Sequence, residues 1–305
     1  MTEQVEKNTT QGTLARPNRT EIKVPQSPDP DVLKIATAAD RRVQSRITTV
    51  RQGFIRLPRD REPADDERPP LASLLSGSRD ALRIRLYLAV LWLAGGGDKS
   101  KGHRVEFPAR AFAELLGLGD PAGRGQRRVR DALKAFADEK LIALQDRPGH
   151  PKVISLLRED GSGELYDRPG IHFKQSEADD TEVDSVHRFI QLPPVFWTEG
   201  WAQVLSAPAI AMLLVMLLIT QNGRQYNQWV STSQRRFYGL SDDTWTRGVA
   251  ELTEHGIVAV RRAPVSADVF GFRRMRNTYS LILERLGRRP DAVLAEDDDL
   301  PLEVS

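Results

Sequence analysis

The chain has 305 residues, a length typical of roughly two domains of ordinary size. It contains no cysteine, which excludes disulfides, thiolate zinc sites and cysteine nucleophiles. The formal net charge is only +2 and indicates no particular partner, but arginine is far commoner than lysine. The planar guanidinium of arginine suits bidentate contacts with phosphate and guanine.

The first 50 residues predict no folded domain. Residues 1–30 are rich in Thr, Asn, Gln and Pro, which predicts disorder, and residues 31–50 predict a basic helix or arm. The N-terminus lacks the apolar core of a secretory signal. The most apolar run, residues 207–219, is shorter than the ~20 residues that a membrane span needs, so it predicts a buried core helix.

A short phrase occurs twice in the chain, as GFIRLP at residues 53–58 and as RFIQLP at residues 188–193. Both copies contain the same apolar pair, then a polar and an apolar residue, and close on proline, which predicts an extended arm at the entrance to two equivalent units. The elements that follow each copy decide whether the chain is duplicated.

Each copy is followed by the same series of predicted elements. Ser78 and Ser206 are predicted N-caps of two helices that are apolar nearly all round, as expected at the centre of a small domain. A short extended piece follows in each half, HRVEF or YNQWV, and then a second helix, PARAFAELLGL or STSQRRFYGL. Both second helices are predicted to close at a Gly-Leu pair, at Gly117 and Gly239.

A third helix in each half carries apolar residues at i, i+4 and i+7, which predicts one buried face. Beyond it, β-branched segments separated by Pro, Gly, Ser and Asp predict a β-hairpin in each half, beginning at LIAL and IVAV. The matching apolar positions of the third helices are Val129, Leu133 and Phe136 in the first half and Trp245, Val249 and Leu252 in the second.

Helix, short strand, helix, turn, helix and hairpin is the order of a winged helix-turn-helix domain. The predicted fold class is therefore α+β, mainly α, with two tandem winged helix-turn-helix domains between a disordered N-terminal tail and an acidic C-terminal tail. The predicted organisation is a disordered or basic arm at 1–50, winged-helix domain 1 at 51–160, a polar acidic linker at 161–187, winged-helix domain 2 at 188–286 and an acidic tail at 287–305.

Catalytic signatures are absent from the sequence. GGGDKS at residues 95–100 lacks the glycine that a phosphate loop places before Lys-Ser, and it predicts a helix-ending turn. The five histidines show no H-x-H or HExxH pairing, and no G-x-S-x-G occurs. The sequence therefore predicts no enzyme, no catalytic residue, no metal site and no cofactor.

The third helix of the first half is the strongest candidate for contact with DNA, because the N-terminal part of such a helix enters the major groove. If Val129 and Leu133 face inward, Arg127 and Lys134 point outward. Arginine pairs with guanine and glutamine with adenine, whereas the remaining basic residues suit phosphates. The alternative to DNA contact is that these residues form an ordinary solvated helix face. The candidates are Gln126, Arg127 and Arg130 for base edges, Arg128 and Lys134 for phosphates, and Arg147 and Lys152 on the first hairpin.

The second half offers a less basic helix. Ser241 is its predicted N-cap, and Asp242 and Asp243 suit a helix N-terminus but lie where phosphates would approach. On the second hairpin, strand pleating places Arg274 and Arg276 on one face and Arg273 on the other; such charges also protect edge strands from aggregation. The candidates in this half are Gln234, Arg235, Arg236, Thr244, Thr246, Arg247, Arg261, Arg262, Arg273, Arg274 and Arg276.

The duplicated arrangement resembles the plasmid replication initiators built from two winged-helix domains. The resemblance covers roughly residues 50–286 and lies in element order, not in a signature motif. It implies recognition of repeated origin DNA by residues 126–134 and 241–251, dimerisation through one domain, and recruitment of host replication proteins.

The predicted function is therefore sequence-specific binding of double-stranded DNA by a plasmid or phage replication initiator. Its expected location is the cytoplasm, associated with nucleoid or plasmid, with a homodimer as a further expectation and no membrane partner. Two alternatives stay open: a transcriptional regulator of the same fold, and a winged-helix protein-interaction module of a chromosome-organising complex. The acidic linker and tail argue mildly for the last.

Overall fold

The computed structural model describes residues 27–44, 46–76, 80–95, 103–169, 188–265 and 275–292, and it mixes α-helices with antiparallel strands. None of the helices in these ranges is long and apolar enough to cross a bilayer. The helices are α1 (Pro30–Arg42), α2 (Gln52–Ile55), α3 (Pro70–Leu75), α4 (Leu82–Ala94), α5 (Ala109–Leu115), α6 (Arg124–Asp138), α7 (Val195–Thr198), α8 (Trp201–Val204), α9 (Ala207–Ile219), α10 (Thr232–Arg235) and α11 (Asp242–Glu254). The strands are β1 (Thr48–Arg51), β2 (Arg104–Val105), β3 (Ile142–Gln145), β4 (Val153–Leu156), β5 (Phe189–Leu192), β6 (Val258–Pro264) and β7 (Met275–Leu281).

Two central helices, α4 and α9, are buried on nearly every side and pack against each other. The predicted cap of α9 is confirmed, because the Ser206 hydroxyl accepts a hydrogen bond from the Ala209 amide at 3.3 Å. The predicted cap of α4 is not: Ser78 lies outside the described residues, and the helix begins after Ala81. There the Asp80 carboxylate accepts from the Leu82 amide at 3.1 Å.

The shared core joins the two halves of the chain directly. Trp92 of α4 and Trp197 of α7 stack with ring centroids 5.1 Å apart, and both side chains are buried. The Arg85 guanidinium donates to the carbonyl oxygens of Gln203 and Leu205 at 2.8 and 2.9 Å. The halves therefore form one packed body along the α4–α9 contact.

The third helices bury the faces that the sequence predicts. Val129, Leu133 and Phe136 of α6 are all buried. In α11, Trp245 and Leu252 are buried and Val249 is half-buried against the core. The closures of the preceding helices are confirmed as well. Gly117 and Gly239 both adopt the left-handed conformation, with φ of 64° and 60°, which a residue with a Cβ adopts at a cost.

The predicted hairpins are present in both halves. β3 pairs with β4, β2 pairs with the other edge of β4, and β6 pairs with β7, all antiparallel. The predicted extended piece HRVEF therefore contributes β2. Its counterpart YNQWV contributes an isolated bridge between Gln228 and Tyr279 rather than a strand.

The two copies of the repeated phrase do not occupy equivalent positions, which corrects the sequence prediction. RFIQLP contributes β5, whereas in GFIRLP the residues Gly53–Ile55 lie in the helical turn α2. The strand that enters the first half is β1, immediately before it, and β1 pairs with β5 with Val50 opposite Ile190. The reason is burial: the adjacent side chains Phe54 and Ile55 both lie in the core, whereas successive side chains of a strand point to opposite faces.

Parts of the predicted N-terminal arm belong to the folded body. A helix is present, but α1 packs against α5 and α7 with Val32 and Ala36 buried, so residues 30–42 do not form a free arm. The predicted boundary at residue 50 falls within β1. Residues 1–26, predicted to be disordered, lie outside the described residues.

The predicted linker and tail also begin inside the fold. Leu165 pairs with Leu157 in an isolated bridge, and Tyr166 is buried. At the other end, the Trp201 indole N–H donates to the carbonyl oxygens of Leu286 and Arg288 at 2.9 and 3.1 Å. The first residues of both segments therefore belong to the folded body, to which they contribute hydrogen bonds and apolar surface. Residues 170–187 and 293–305 lie outside the described residues.

The lack of a side chain at Gly248 lets α11 approach α9 closely, and adding a Cβ there is expected to destabilise the protein. A Cβ at this position would lie 2.5 Å from Met212 Cγ and would meet the Pro208 carbonyl oxygen. Gly248→Ala is therefore expected to lower the free energy of unfolding by about 1–3 kcal/mol through overpacking. Glycine-to-alanine changes in open helix positions instead gain up to about 1 kcal/mol. Urea denaturation measures the difference.

Gly119→Ala is the matched control, since a Cβ there would have no neighbour within 4 Å. It is expected to leave the free energy of unfolding nearly unchanged. A Gly248→Ala protein as stable as the parent would show that α9 and α11 do not need this close approach.

Candidate nucleic-acid interface

The start of α6 is fixed by Asp120 in the turn before it. The Asp120 carboxylate accepts from the amides of Gly123 and Arg124 at 3.2 and 2.9 Å, and its backbone carbonyl accepts from the Gly125 amide at 2.9 Å. Gly125 is buried so closely that a Cβ would lie about 3.0 Å from that carbonyl oxygen. These contacts direct the first turn of α6, with its basic side chains, away from the core.

The outward face of α6 presents the strongest set of basic side chains. Arg127, Arg130 and Lys134 are exposed, and none of the carboxylates in the described part of the chain lies within ion-pairing distance of them. With its amide oriented for hydrogen bonding, Gln126 accepts from the Arg130 guanidinium and donates to the Ala122 carbonyl, both at 3.1 Å. Asp131 is also exposed on this face. The predicted base-contacting residues Gln126, Arg127 and Arg130 therefore lie together on one turn.

The predicted phosphate contacts of the first half are partly neutralised by the protein itself. Arg128 forms an ion pair with Asp80, Arg147 with Glu106 at 2.8 Å, and Lys152 with Asp146 at 2.8 Å. All three pairs are exposed, and exposed pairs typically contribute only about 0–1 kcal/mol. A phosphate can therefore compete for these cations at little cost.

The basic candidates on α10, on α11 and in the turn between them are all paired with carboxylates. Arg235 lies 3.5 Å from Asp242 and over the Trp245 ring at 4.6 Å. Arg247 pairs with Asp243 at 3.2 Å, and Arg236 pairs with Glu62 of the first half. These contacts lower the positive charge that the surface around α11 presents.

The uncharged candidates of the second half take local structural roles. Gln234 and Ser231 form a reciprocal capping box at the start of α10. The Thr244 hydroxyl lies 2.9 Å from the Ser241 hydroxyl within the first turn of α11, and Thr246 is exposed. Fewer side chains are therefore available for contact with DNA in the second half than on α6.

The second hairpin carries arginines on both faces. Arg261 stands opposite Thr278 and Ala263 opposite Arg276, so Arg261 and Arg276 share one face while Arg262 faces the other. Arg261 and Arg262 are exposed, without an ion pair to any described carboxylate. The Arg276 guanidinium lies over the Trp229 ring, 4.2 Å from its centroid. Arg273 and Arg274, including the predicted shared face of Arg274 and Arg276, lie outside the described residues.

A second basic surface was missed by sequence reasoning. An open cleft of about 710 Å³ lies between the halves and is lined by arginines of the two copies of the repeated phrase, Arg56 and Arg188, together with Arg59 and Arg224. The signal in the sequence was an arginine within or beside an otherwise apolar run in both copies. Their meeting depends on the tertiary pairing of β1 with β5.

No group of three or more His, Asp or Glu side chains in the described ranges is arranged to hold a metal ion. Comparison of the chain with family models, curated proteins and solved structures finds no match in any of the three.

Proposed function

We propose that this chain is a non-enzymatic, sequence-specific double-stranded DNA-binding protein with two winged helix-turn-helix units, acting as a plasmid or phage replication initiator. The observation that carries the proposal is the outward face of α6, where Arg127, Arg130 and Lys134 are exposed without carboxylate partners among the described residues. Arginine beside glutamine on the first turns of such a helix suits guanine and adenine edges in the major groove.

The surroundings of α6 support the winged-helix assignment of the first unit. α5, the left-handed Gly117 and α6 form a helix-turn-helix, and α5 packs on α6. The β3–β4 hairpin, with β2 on its edge, follows as the wing. In the second unit, α10, Gly239 and α11 precede the β6–β7 hairpin in the same order.

The role of initiator rests on the resemblance in element order and on the presence of two such units in one chain. Two units on a shared core suit two closely spaced contacts on repeated sites. Short direct repeats protected by the protein in a footprint support initiation, whereas protection of one promoter-overlapping palindrome supports a regulator instead.

The second unit supports an additional candidate role in protein contact. α11 contains four acidic residues and a single basic one, Arg247, which is paired with Asp243. An acidic helix repels phosphates but suits a basic protein surface, such as that of a partner or of a second copy. Under this assignment the first unit reads DNA and the second unit joins proteins through α11.

A salt titration tests the contribution of the second hairpin to DNA binding. The double change Arg261→Ala and Arg262→Ala is expected to weaken binding to all duplexes similarly, since backbone contacts carry no sequence information. It should also flatten the slope of log K against log salt by roughly one for each lost phosphate contact. Fluorescence anisotropy on a random duplex measures both effects.

The matched control is Arg288→Ala with Arg289→Ala, which removes two exposed positive charges outside both hairpins and helix-turn-helices. Its salt slope should equal that of the parent protein. If the parent protein binds random duplex weakly at low salt and shows no slope, the proposal of a DNA-binding protein fails and a protein-interaction module replaces it.

A further inference from the structure

The cleft between the halves holds a buried cation, Arg56, that forms no ion pair with any carboxylate of the described residues. Arg56 is only 7% exposed, and its Nη1 atom has no hydrogen-bond partner. Burial, together with the positive charges of Arg59 and Arg188, lowers the pKa of Arg56 to about 10. The guanidinium remains charged near neutral pH, and a buried charge is stable only when it is paired.

The charged residues around Arg56 are positive, so they do not neutralise its charge. Arg59, Arg188 and Arg224 line the same cleft and are exposed. The described lining contains no aspartate or glutamate, and none of these arginines forms an ion pair with a described carboxylate. This contrasts with α10, α11 and the turn between them, whose arginines all have carboxylate partners.

Backbone hydrogen bonds hold the arginines in place from both halves. The Leu57 amide donates to the Phe237 carbonyl at 2.8 Å, which fixes the neighbouring Arg56 beside Tyr238. The Gln52 amide donates to the Arg188 carbonyl at 2.8 Å. Like charges are therefore held together by the fold, an arrangement that an anion with several oxygens would stabilise.

The rest of the lining suits a planar, polar group. Trp229 is 44% exposed at the cleft, and the lining also includes the side-chain amides of Gln191, Gln228 and Asn222. Aromatic rings stack on bases, and amides donate to and accept from base edges. A volume of about 710 Å³ lies within the range of small-ligand sites.

We propose that this cleft is a nucleotide-binding site, in which Arg56, Arg59 and Arg188 bind the phosphate and the Trp229 side of the cleft receives the base. The site is distinct from the DNA-contacting face of α6, so it extends the proposed function without depending on it. A nucleotide bound here would contact both halves and stabilise their β1–β5 junction.

Isothermal titration calorimetry of the full chain with adenosine monophosphate tests the proposal. Saturable binding is expected, with at least tenfold weaker binding of adenosine, which lacks the phosphate, and of inorganic phosphate, which lacks the base. Saturating adenosine monophosphate should raise the melting temperature by a few degrees, because it binds only the folded state.

Two variants assign the binding to the cleft. Arg188→Ala, at an exposed side chain, should weaken adenosine monophosphate binding at least tenfold, whereas Arg289→Ala at another exposed arginine should not. Arg56→Met should abolish binding while the ligand-free protein keeps or raises its melting temperature, since the change removes a buried charge that no described carboxylate neutralises. A purely structural Arg56 would instead give a lower melting temperature.

Several results would overturn the proposal that the cleft binds a nucleotide. Absence of adenosine monophosphate binding, equal binding of adenosine, equal binding of inorganic phosphate, or binding that survives Arg188→Ala would each remove the nucleotide site. Binding of a single-stranded oligothymidylate through Arg188 without binding of the mononucleotide would also overturn it. If Arg188→Ala also lowers the affinity for duplex DNA, the cleft belongs to the DNA-binding surface. If the parent protein binds adenosine monophosphate but not duplex DNA, the proposed DNA-binding function fails and the nucleotide site is retained.

Discussion

Replacing Arg127 and Arg130 together with alanine is expected to abolish site-specific DNA binding while leaving the fold intact. Both side chains project from α6 into solvent, away from the buried Val129 and Leu133. Each arginine that pairs with a guanine contributes about 1–3 kcal/mol of discrimination against other bases. The double variant should therefore bind its site nearly as weakly as an unrelated duplex, as measured by footprinting and by competition with random DNA.

Arg288→Ala with Arg289→Ala removes the same number of charges and should retain the footprint. Circular dichroism and the melting temperature of both variants should match those of the parent protein, because all four side chains are exposed. An unchanged footprint from the Arg127 and Arg130 variant would exclude α6 as the reading helix. The acidic α11 could not readily replace it, so another surface of the protein would have to read the site.

The register of the third helices was predictable because it depends on a local pattern. Apolar residues at i, i+4 and i+7 must share one helix face, and Val129, Leu133, Trp245 and Leu252 are buried accordingly. The repeated phrase was not predictable in the same way. Six residues with an apolar pair and a closing proline fit both a strand and a helical turn, and the choice at Gly53–Ile55 depends on the pairing of β1 with β5, which lies far away in the chain.

The site shows the same division between local and long-range information. The exposure of Arg127 follows directly from the inward face of its helix, and the Arg247–Asp243 pair follows from helical i, i+4 spacing. The Arg236–Glu62 pair joins residues 174 positions apart, and no local pattern indicates it. The meeting of Arg56 and Arg188 likewise requires the two halves to fold against each other.

Glu159→Ala is expected to destabilise the protein more than any exposed change, by about 3–5 kcal/mol, because it breaks a buried ion pair. The Glu159 carboxylate is fully buried and accepts from the Arg51 guanidinium at 2.5 Å. Arg51, itself buried, also donates to the Asp167 carboxylate at 2.6 Å. Removing Glu159 leaves much of this charge uncompensated in β1, the strand that pairs with β5, and urea denaturation should show a lower midpoint.

Glu164→Ala is the control, because its ion pair with Arg158 lies near the surface, with the Glu164 side chain 63% exposed, and should contribute at most about 1 kcal/mol. The double change Arg51→Met with Glu159→Leu removes both buried charges and should be more stable than Glu159→Ala alone. If the double variant is the less stable of the two, the pair contributes through its hydrogen bonds rather than through charge compensation. In that case the β1–β5 junction depends on the geometry of Arg51, and the two halves should separate more easily in the double variant than in the single one.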